Sequence, residues 1–324
     1  MTTGTGDPTA PRILANPPRL HDVVAALEDL YPPSTAEGWD AVGLVVGDPA
    51  APVRKILFAV DPVAAVVDEA IAWGADLLVT HHPLFLRPVH SVAATTFKGD
   101  VVHRLMRAGC GLYVAHTNAD AAPRGVADAL ADLVGITDRS PLVVGDDGDG
   151  VDSGAVCGIG RVGRLAAPTT LGVFAERVAA VLPATAQGVR VAGDLDARVA
   201  TAAVVGGSGD SLFDAVRAAA VDVYVTADLR HHPASELRER ADFEAGADAA
   251  ATPFLVDVAH FASEWPWLAY VAEDVVARLG ERAGGGTGDG SGEGTVTTRV
   301  STIGTDPWTA RVASTVRETD RPTS

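Results

Sequence analysis

The chain has 324 residues, enough for about two domains. Hydrophobic residues make up 47% and charged residues 21%, which sustains a core and excludes wholesale disorder. With 25 basic against 42 acidic residues the net charge is −17, which argues against a general nucleic-acid surface and against binding to an anionic membrane.

Residues 1–18 read as a Thr/Pro/Gly-rich flexible tail without the apolar run of a signal peptide. No stretch approaches about 18 uninterrupted apolar residues, so the expected compartment is the cytoplasm. Leu20, Val23, Val24, Leu27, Leu30 and Tyr31 share one helical face, and Pro32-Pro33 stops that helix. Lys55 to Val60 reads as a strand. Asp61-Pro62 then supplies a helix cap and a first-turn proline for a helix ending near Trp73. Next come a strand at 77–80, a helix near Phe97 to Met106, a strand at Leu112 to Ala115 and a helix near Gly125 to Val134. Short apolar strands alternating with helices predict α/β layers.

Val144 to Gly154 is acidic and Gly-rich. The Asp spacing of a calcium loop fails at Val151, so it reads as a solvated loop. Strands follow around Ile159 to Leu165, Val189 to Ala192 and Ala202 to Val205, with helices at Thr170 to Val181 and Ser211 to Ala219. Strands at Val223 to Thr226 and Phe254 to Val258 precede an amphipathic helix from Trp267 to Leu279, closed by Gly280. A last strand falls at Thr295 to Thr302. Cys110 and Cys157 form no CxxC pair, which excludes a thiolate zinc site and a disulfide framework.

The chain repeats itself. Asp76-Leu77-Leu78-Val79-Thr80 matches Asp222-Val223-Tyr224-Val225-Thr226, 146 residues later. His81-His82-Pro83 follows the first and His231-His232-Pro233 the second, displaced by four residues. His116-xxx-Asp120 is echoed 144 residues later by His260-xxx-Glu264. This predicts two related α/β halves with similar loops at their strand ends, where open α/β sheets gather ligands.

Adjacent His81 and His82 on extended backbone point apart and reach two metals, or one metal and a substrate. His260 and Glu264 share one face of a helical turn. Imidazole with carboxylate and no thiolate suits Zn, Mn, Fe, Co or Ni. A shared carboxylate allows two metals about 3.5–4 Å apart, the arrangement that activates water for hydrolysis. His116 reads either as a ligand or as the group holding Asp120. His231 and His232 are candidates for lining a substrate cleft. Gly206-Gly207-Ser208-Gly209 is a candidate anion cradle without the P-loop lysine.

Trp39-Asp40-Ala41-Val42-Gly43-Leu44, Thr80-His81-His82-Pro83-Leu84-Phe85, His116-Thr117-Asn118-Ala119-Asp120, Gly206-Gly207-Ser208-Gly209 and Asp257-Val258-Ala259-His260-xxx-Glu264 occur in this order. Together they resemble the Ngg-interacting-factor-three-like family, whose members are often labelled GTP cyclohydrolase 1 type 2 homologs. The resemblance spans about Leu20 to Trp308. It implies two intertwined, internally repeated α/β halves with mixed sheets and the site at the strand C-terminal ends. It implies two divalent metal ions per chain, held by His81, His82, Asp120, His260 and Glu264, and a homohexameric ring. The region from Asp138 to Ala200 is too short for the domain inserted in some relatives, so the chain resembles the short form. The expected organisation is a first half at 19–140, a connecting region at 141–200, a second half at 201–308 with a Gly-rich loop at 283–294, and a polar tail at 309–324.

Three positions depart from the family pattern: Ala41 for Asn, Ala259 for Gly, and Ala227 within Thr226-Ala227-Asp228. The implied function is a metal-dependent hydrolase of a nucleotide or small anionic molecule, with His116, His231 and His232 moving protons. The alternative is a non-catalytic metal-binding scaffold or regulator.

Overall fold

The computed structural model describes residues 17–145, 157–246, 250–284 and 296–313. The sequence-predicted solvated loop falls largely outside these residues, as do most of the Gly-rich loop and of both tails. In chain order the first part holds α1 (Leu20–Leu30), β1 (Gly43–Val46), β2 (Lys55–Ala59), α2 (Ala64–Trp73), β3 (Leu77–Thr80), α3 (Phe97–Ala108) and β4 (Gly111–Val114). Then come α4 (Thr117–Ala121), α5 (Val126–Val134), β5 (Ile136–Ser140), β6 (Val143–Val144), β7 (Gly158–Ile159), β8 (Arg161–Thr170), α6 (Leu171–Val181) and β9 (Arg190–Ala192). The remainder is β10 (Arg198–Ser208), α7 (Phe213–Ala218), β11 (Val223–Ala227), α8 (His231–Ala245), β12 (Phe254–Val258), α9 (His260–Glu264), α10 (Trp267–Gly284) and β13 (Thr297–Val300).

The chain divides into two compact units. The first runs to His116 and takes in Val271–Ser301; the second holds Thr117–Tyr270 and the residues from Thr302. The chain thus passes from the first unit to the second, back, and out again.

In the first unit the strand order is β1-β4-β3-β2-β13. β13, β2, β3 and β4 run parallel, and β1 pairs antiparallel with β4 at the edge. Strands covered on both faces read as continuous apolar runs. Accordingly Ile56, Leu57, Phe58, Leu77, Leu78, Leu112 and Tyr113 are wholly buried. α3 starts where Thr96 Oγ1 accepts the Gly99 N–H at 3.1 Å, and it stops at Gly109 in the left-handed region.

In the second unit the order is β5-β8-β10-β11-β12-β9. β10, β11 and β12 are parallel; β8 and β9 flank them antiparallel. Its core packs Val205, Phe213, Val216, Tyr224, Leu237 and Leu255 together. A buried ion pair fixes α5 to β8: Arg161 Nε and Nη2 donate to Asp128 Oδ1 and Oδ2 at 2.9 and 2.8 Å.

Several local expectations change. The N-cap of α2 is Val63, with no side-chain cap, so Asp61 is not a helix cap. Edge strands β1 and β5 carry no clear alternation and were not predicted. Gly280 lies inside α10. His231-His232-Pro233 forms the first turn of α8 instead of a loop. Proline fits there because first-turn N–H groups have no intrahelical acceptor. Ala227 stays in β11, and the left-handed residue of that turn is Asp228 at φ 55°. No helix among the described residues is long and apolar enough to cross a membrane.

Candidate functional site

The first unit gathers three histidines at the carboxyl ends of β3 and β4. After Thr80 the backbone bends, pinned by His81 N–H to Ala59 O at 3.2 Å and His82 N–H to Val60 O at 2.9 Å. Because the strand has ended, His81 and His82 do not point apart as extended residues would. Their ring centroids lie 5.1 Å apart, and His116 stands 5.1 and 5.6 Å from them. One ring nitrogen from each of the three lies within 4.8 Å of the others.

Each ring is oriented through Nδ1. His81 Nδ1 donates to Ala115 O at 3.0 Å, His82 Nδ1 lies 2.7 Å from Asp61 Oδ1, and His116 Nδ1 lies 2.9 Å from Asp40 Oδ1. A carbonyl only accepts, so a neutral His81 ring carries its proton on Nδ1 and has its lone pair on Nε2. Oxygen acceptors behind imidazoles are what metal-binding histidines use to fix their tautomer. His116 is held below the usual histidine range: burial disfavours its charge, and His81 adds to this against the pull of Asp40.

The second unit supplies an imidazole with a carboxylate. β12 runs into α9, where His260 Nε2 lies 2.9 Å from Glu264 Oε1. Two ligand atoms about 2.1 Å from a common ion and subtending about 90° there lie about 3 Å apart, so the pair fits one metal. Glu264 is 3% exposed, and a carboxylate so buried requires a charge partner. His260 Nδ1 lies 2.7 Å from Asp228 Oδ2, the same device as in the first unit.

Gly207 makes room for this pair. It sits at φ 67°, and a Cβ there would meet Glu264 Oε1 at 2.6 Å. Its N–H donates to Ser263 Oγ at 2.9 Å, and Ser263 Oγ donates to His260 O at 2.7 Å. The Gly206–Gly209 loop therefore braces α9 and does not offer that N–H to an anion. Ala259 caps α9 with extended backbone, so glycine is not needed there. Asp257, buried beside this turn, is pushed up by desolvation against its bonds from Leu229 N–H and Arg190.

Of the sequence-predicted residues, His81, His82 and His116 come together in the first unit, and His260 meets Glu264 in the second. Asp120 lies half-buried on α4 in the second unit. His231 and His232 are exposed and stack edge-on at 5.1 Å, and His231 lines a cavity of about 340 Å³ with Arg190, Arg230 and Arg238. Sequence reasoning missed Asp40, Asp61 and Asp228 as the carboxylates behind the histidines. Their signal was present: each lies close to a strand or turn of the motifs, where an acid is needed to hold an imidazole. An apolar cavity of about 690 Å³ in the first unit, lined by Val46, Phe85, Val102 and Cys110 among others, lies by the amino ends of β3 and β4, away from the histidines.

The sequence pattern of the Duf34/NIF3 (NGG1p interacting factor 3) family matches residues 18–284. A protein of Streptomyces coelicolor called "GTP cyclohydrolase 1 type 2 homolog" is 52% identical over 297 residues, 92% of this chain and 96% of its own. A Mycobacterium tuberculosis protein of the same name is 37% identical, covering 90% of this chain and 96% of its own. Among solved structures, a Staphylococcus aureus hypothetical protein superposes with a TM-score of 0.76 at 25% identity, over 91% of this chain and all of that one. A Bacillus cereus protein related to NIF3 gives 0.74 at 24% identity, over 91% of this chain and all of that one, a likeness of fold.

Proposed function

The chain belongs to the Duf34/NIF3 family, and on that premise we propose that it is a dinuclear-metal hydrolase acting on a nucleotide or small anionic molecule, assembled as a ring of six copies. The observation that carries this reading is the common orientation of four imidazoles. His81, His82, His116 and His260 each engage an oxygen acceptor through Nδ1, which leaves Nε2 to face the centre, as a metal ligand in His81, His82 and His260 and as a proton carrier in His116.

In this reading His81, His82, Asp120, His260 and Glu264 hold two divalent ions of the Zn, Mn, Fe, Co or Ni class. Bound metals would supply Lewis acidity and a water that ionises near neutral pH. The chain's own groups do the rest. Ala115 O, Asp61 and Asp228 lock the ligand rings, and Ser263 holds α9 against the Gly207 turn. His116, His231 and His232 are the histidines given proton transfer. His116 is the one whose ring a buried carboxylate orients, with the Asp40 side chain wholly excluded from solvent.

The test is elemental analysis of the purified protein, then turnover of a panel of nucleotides and phosphoesters. About two metal equivalents per chain are expected, falling in His82→Ala and Glu264→Ala together with turnover. No metal after incubation with these ions, or full turnover in the metal-free double variant, overturns the reading. Two tightly held metals without any turnover would instead support the scaffold function.

A further inference from the structure

The second unit carries a cavity that neither the ligand residues nor the proton-transfer histidines use. It measures about 600 Å³, within the roughly 300–1,000 Å³ typical of small-molecule sites, and is lined by Gln187, Arg190, Asp228, Leu229, Trp308 and Arg311 among others. Asp228 joins it to the centre described above, because that carboxylate holds His260. Asp228 also sits in the left-handed region at φ 55°, a conformation that non-glycine residues adopt at a cost and that clusters at functional sites.

The wall residues have complementary chemistry. Trp308 is 66% exposed in a chain with 5% aromatic residues, and its indole stacks on no other ring among the described residues. Arg190 is anchored by Nε to Asp257 Oδ2 at 2.6 Å, and Gln187 Nε2 braces the same carboxylate at 3.3 Å. Arg311 is exposed and makes no ion pair among the described residues. One flat ring face beside two guanidinium groups is an unusual local surface for a chain of net charge −17. A planar ring gains from the indole face, and a phosphate gains from guanidinium forks.

We propose that this cavity binds an aromatic heterocycle bearing a phosphate, with the ring on Trp308 and the phosphate on Arg311, while Arg190, paired with Asp257 through Nε and Nη2, adds positive charge beside it. It is the recognition subsite of the centre at His260. Its service in turnover rests on the hydrolase reading; binding itself does not.

The experiment separates the two. The full-length chain is stripped of metal with a chelator, and adenosine and guanosine monophosphates are titrated calorimetrically beside adenosine and inorganic phosphate. A nucleoside monophosphate should bind at least tenfold more tightly than either fragment. Trp308→Ala should weaken it at least tenfold, with Trp308→Phe restoring most of the loss. Arg311→Ala should weaken the monophosphate about tenfold, flatten its salt dependence, and leave adenosine unchanged. Metal content on reconstitution should stay at the wild-type level in both variants, so a failed metal count would strike the hydrolase reading alone. Unaltered monophosphate affinity in a folded Trp308→Ala, phosphate binding as tight as the nucleotide, or no binding at millimolar concentration overturns the proposal.

Discussion

The two units share a plan and differ in how they finish it. Each places three parallel strands side by side with an antiparallel strand beside the third: β2-β3-β4 with β1, and β10-β11-β12 with β9. Each opens its central strand with an aspartate doing the same work. Asp76 Oδ2 accepts the Arg54 and Lys55 N–H groups at 2.7 and 2.9 Å; Asp222 Oδ2 accepts those of Ala200 and Thr201 at 2.7 and 2.9 Å. Beyond the first strand they part. The first unit adds parallel β13; the second adds antiparallel β8, held to α5 by a buried ion pair. At the carboxyl ends the first unit assembles three imidazoles, and the second an imidazole with a carboxylate. The two frames share their strand geometry, while their loops carry different ligand chemistry.

This comparison can be broken most severely at the feature one unit alone has. Asp128→Ala leaves the Arg161 guanidinium, 4% exposed, buried without its carboxylate. Such a loss costs about 3–5 kcal/mol, and denaturant unfolding should show it, with no counterpart available in the first unit. The shared aspartates come next. Asp76→Ala and Asp222→Ala each remove the acceptor of two exposed or part-buried backbone donors, at about 0.5–1.5 kcal/mol per lost hydrogen bond. Equal losses would support the shared plan; a difference above about 2 kcal/mol between them would break it.

Smaller effects should appear in the carboxylates behind the histidines. Asp61→Asn and Asp228→Asn should each weaken metal affinity by about 10–100-fold without removing a ligand, read by competition with a chromogenic chelator. Loss in one variant only would mean that one unit does the binding. The smallest effect concerns Asp132, which Arg139 and Tyr270 hold below the usual carboxylate range despite desolvation. Its folded pKa lies under its unfolded value, so its contribution is present above about pH 4 and fades as pH falls through the folded value. Asp132→Asn should therefore be less stable than the parent at pH 7, and the gap should close in acid melts.

Much of this is legible in the sequence. The buried parallel strands announce themselves as apolar runs because both their faces are covered. The ligand candidates follow those runs, so strand and histidine are read together. The edge strands β1 and β5 escaped because a partly solvated strand four or five residues long has too little periodicity to stand out. Helix α8 escaped because its His-His-Pro opening copies a motif that is a bend in the first unit; four extra residues, Ala227 to Arg230, change the outcome. Asp61 was misread because an acid before a proline is a common helix start. Its real partner, His82, lies 21 positions away, a contact that only the folded sheet creates. Asp40 and Asp228 were hidden for the same reason, at 76 and 32 positions from their histidines.

The acceptors behind the imidazoles also differ in what heredity can do to them. His82, His116 and His260 lean on carboxylates, each of which a single codon change can turn into an amide. Their electron donation is therefore open to adjustment as lineages diverge. His81 leans on the carbonyl of Ala115, which every amino acid supplies. No substitution at position 115 deletes that acceptor, so the orientation of His81 is insulated from side-chain changes that could retune the other three rings.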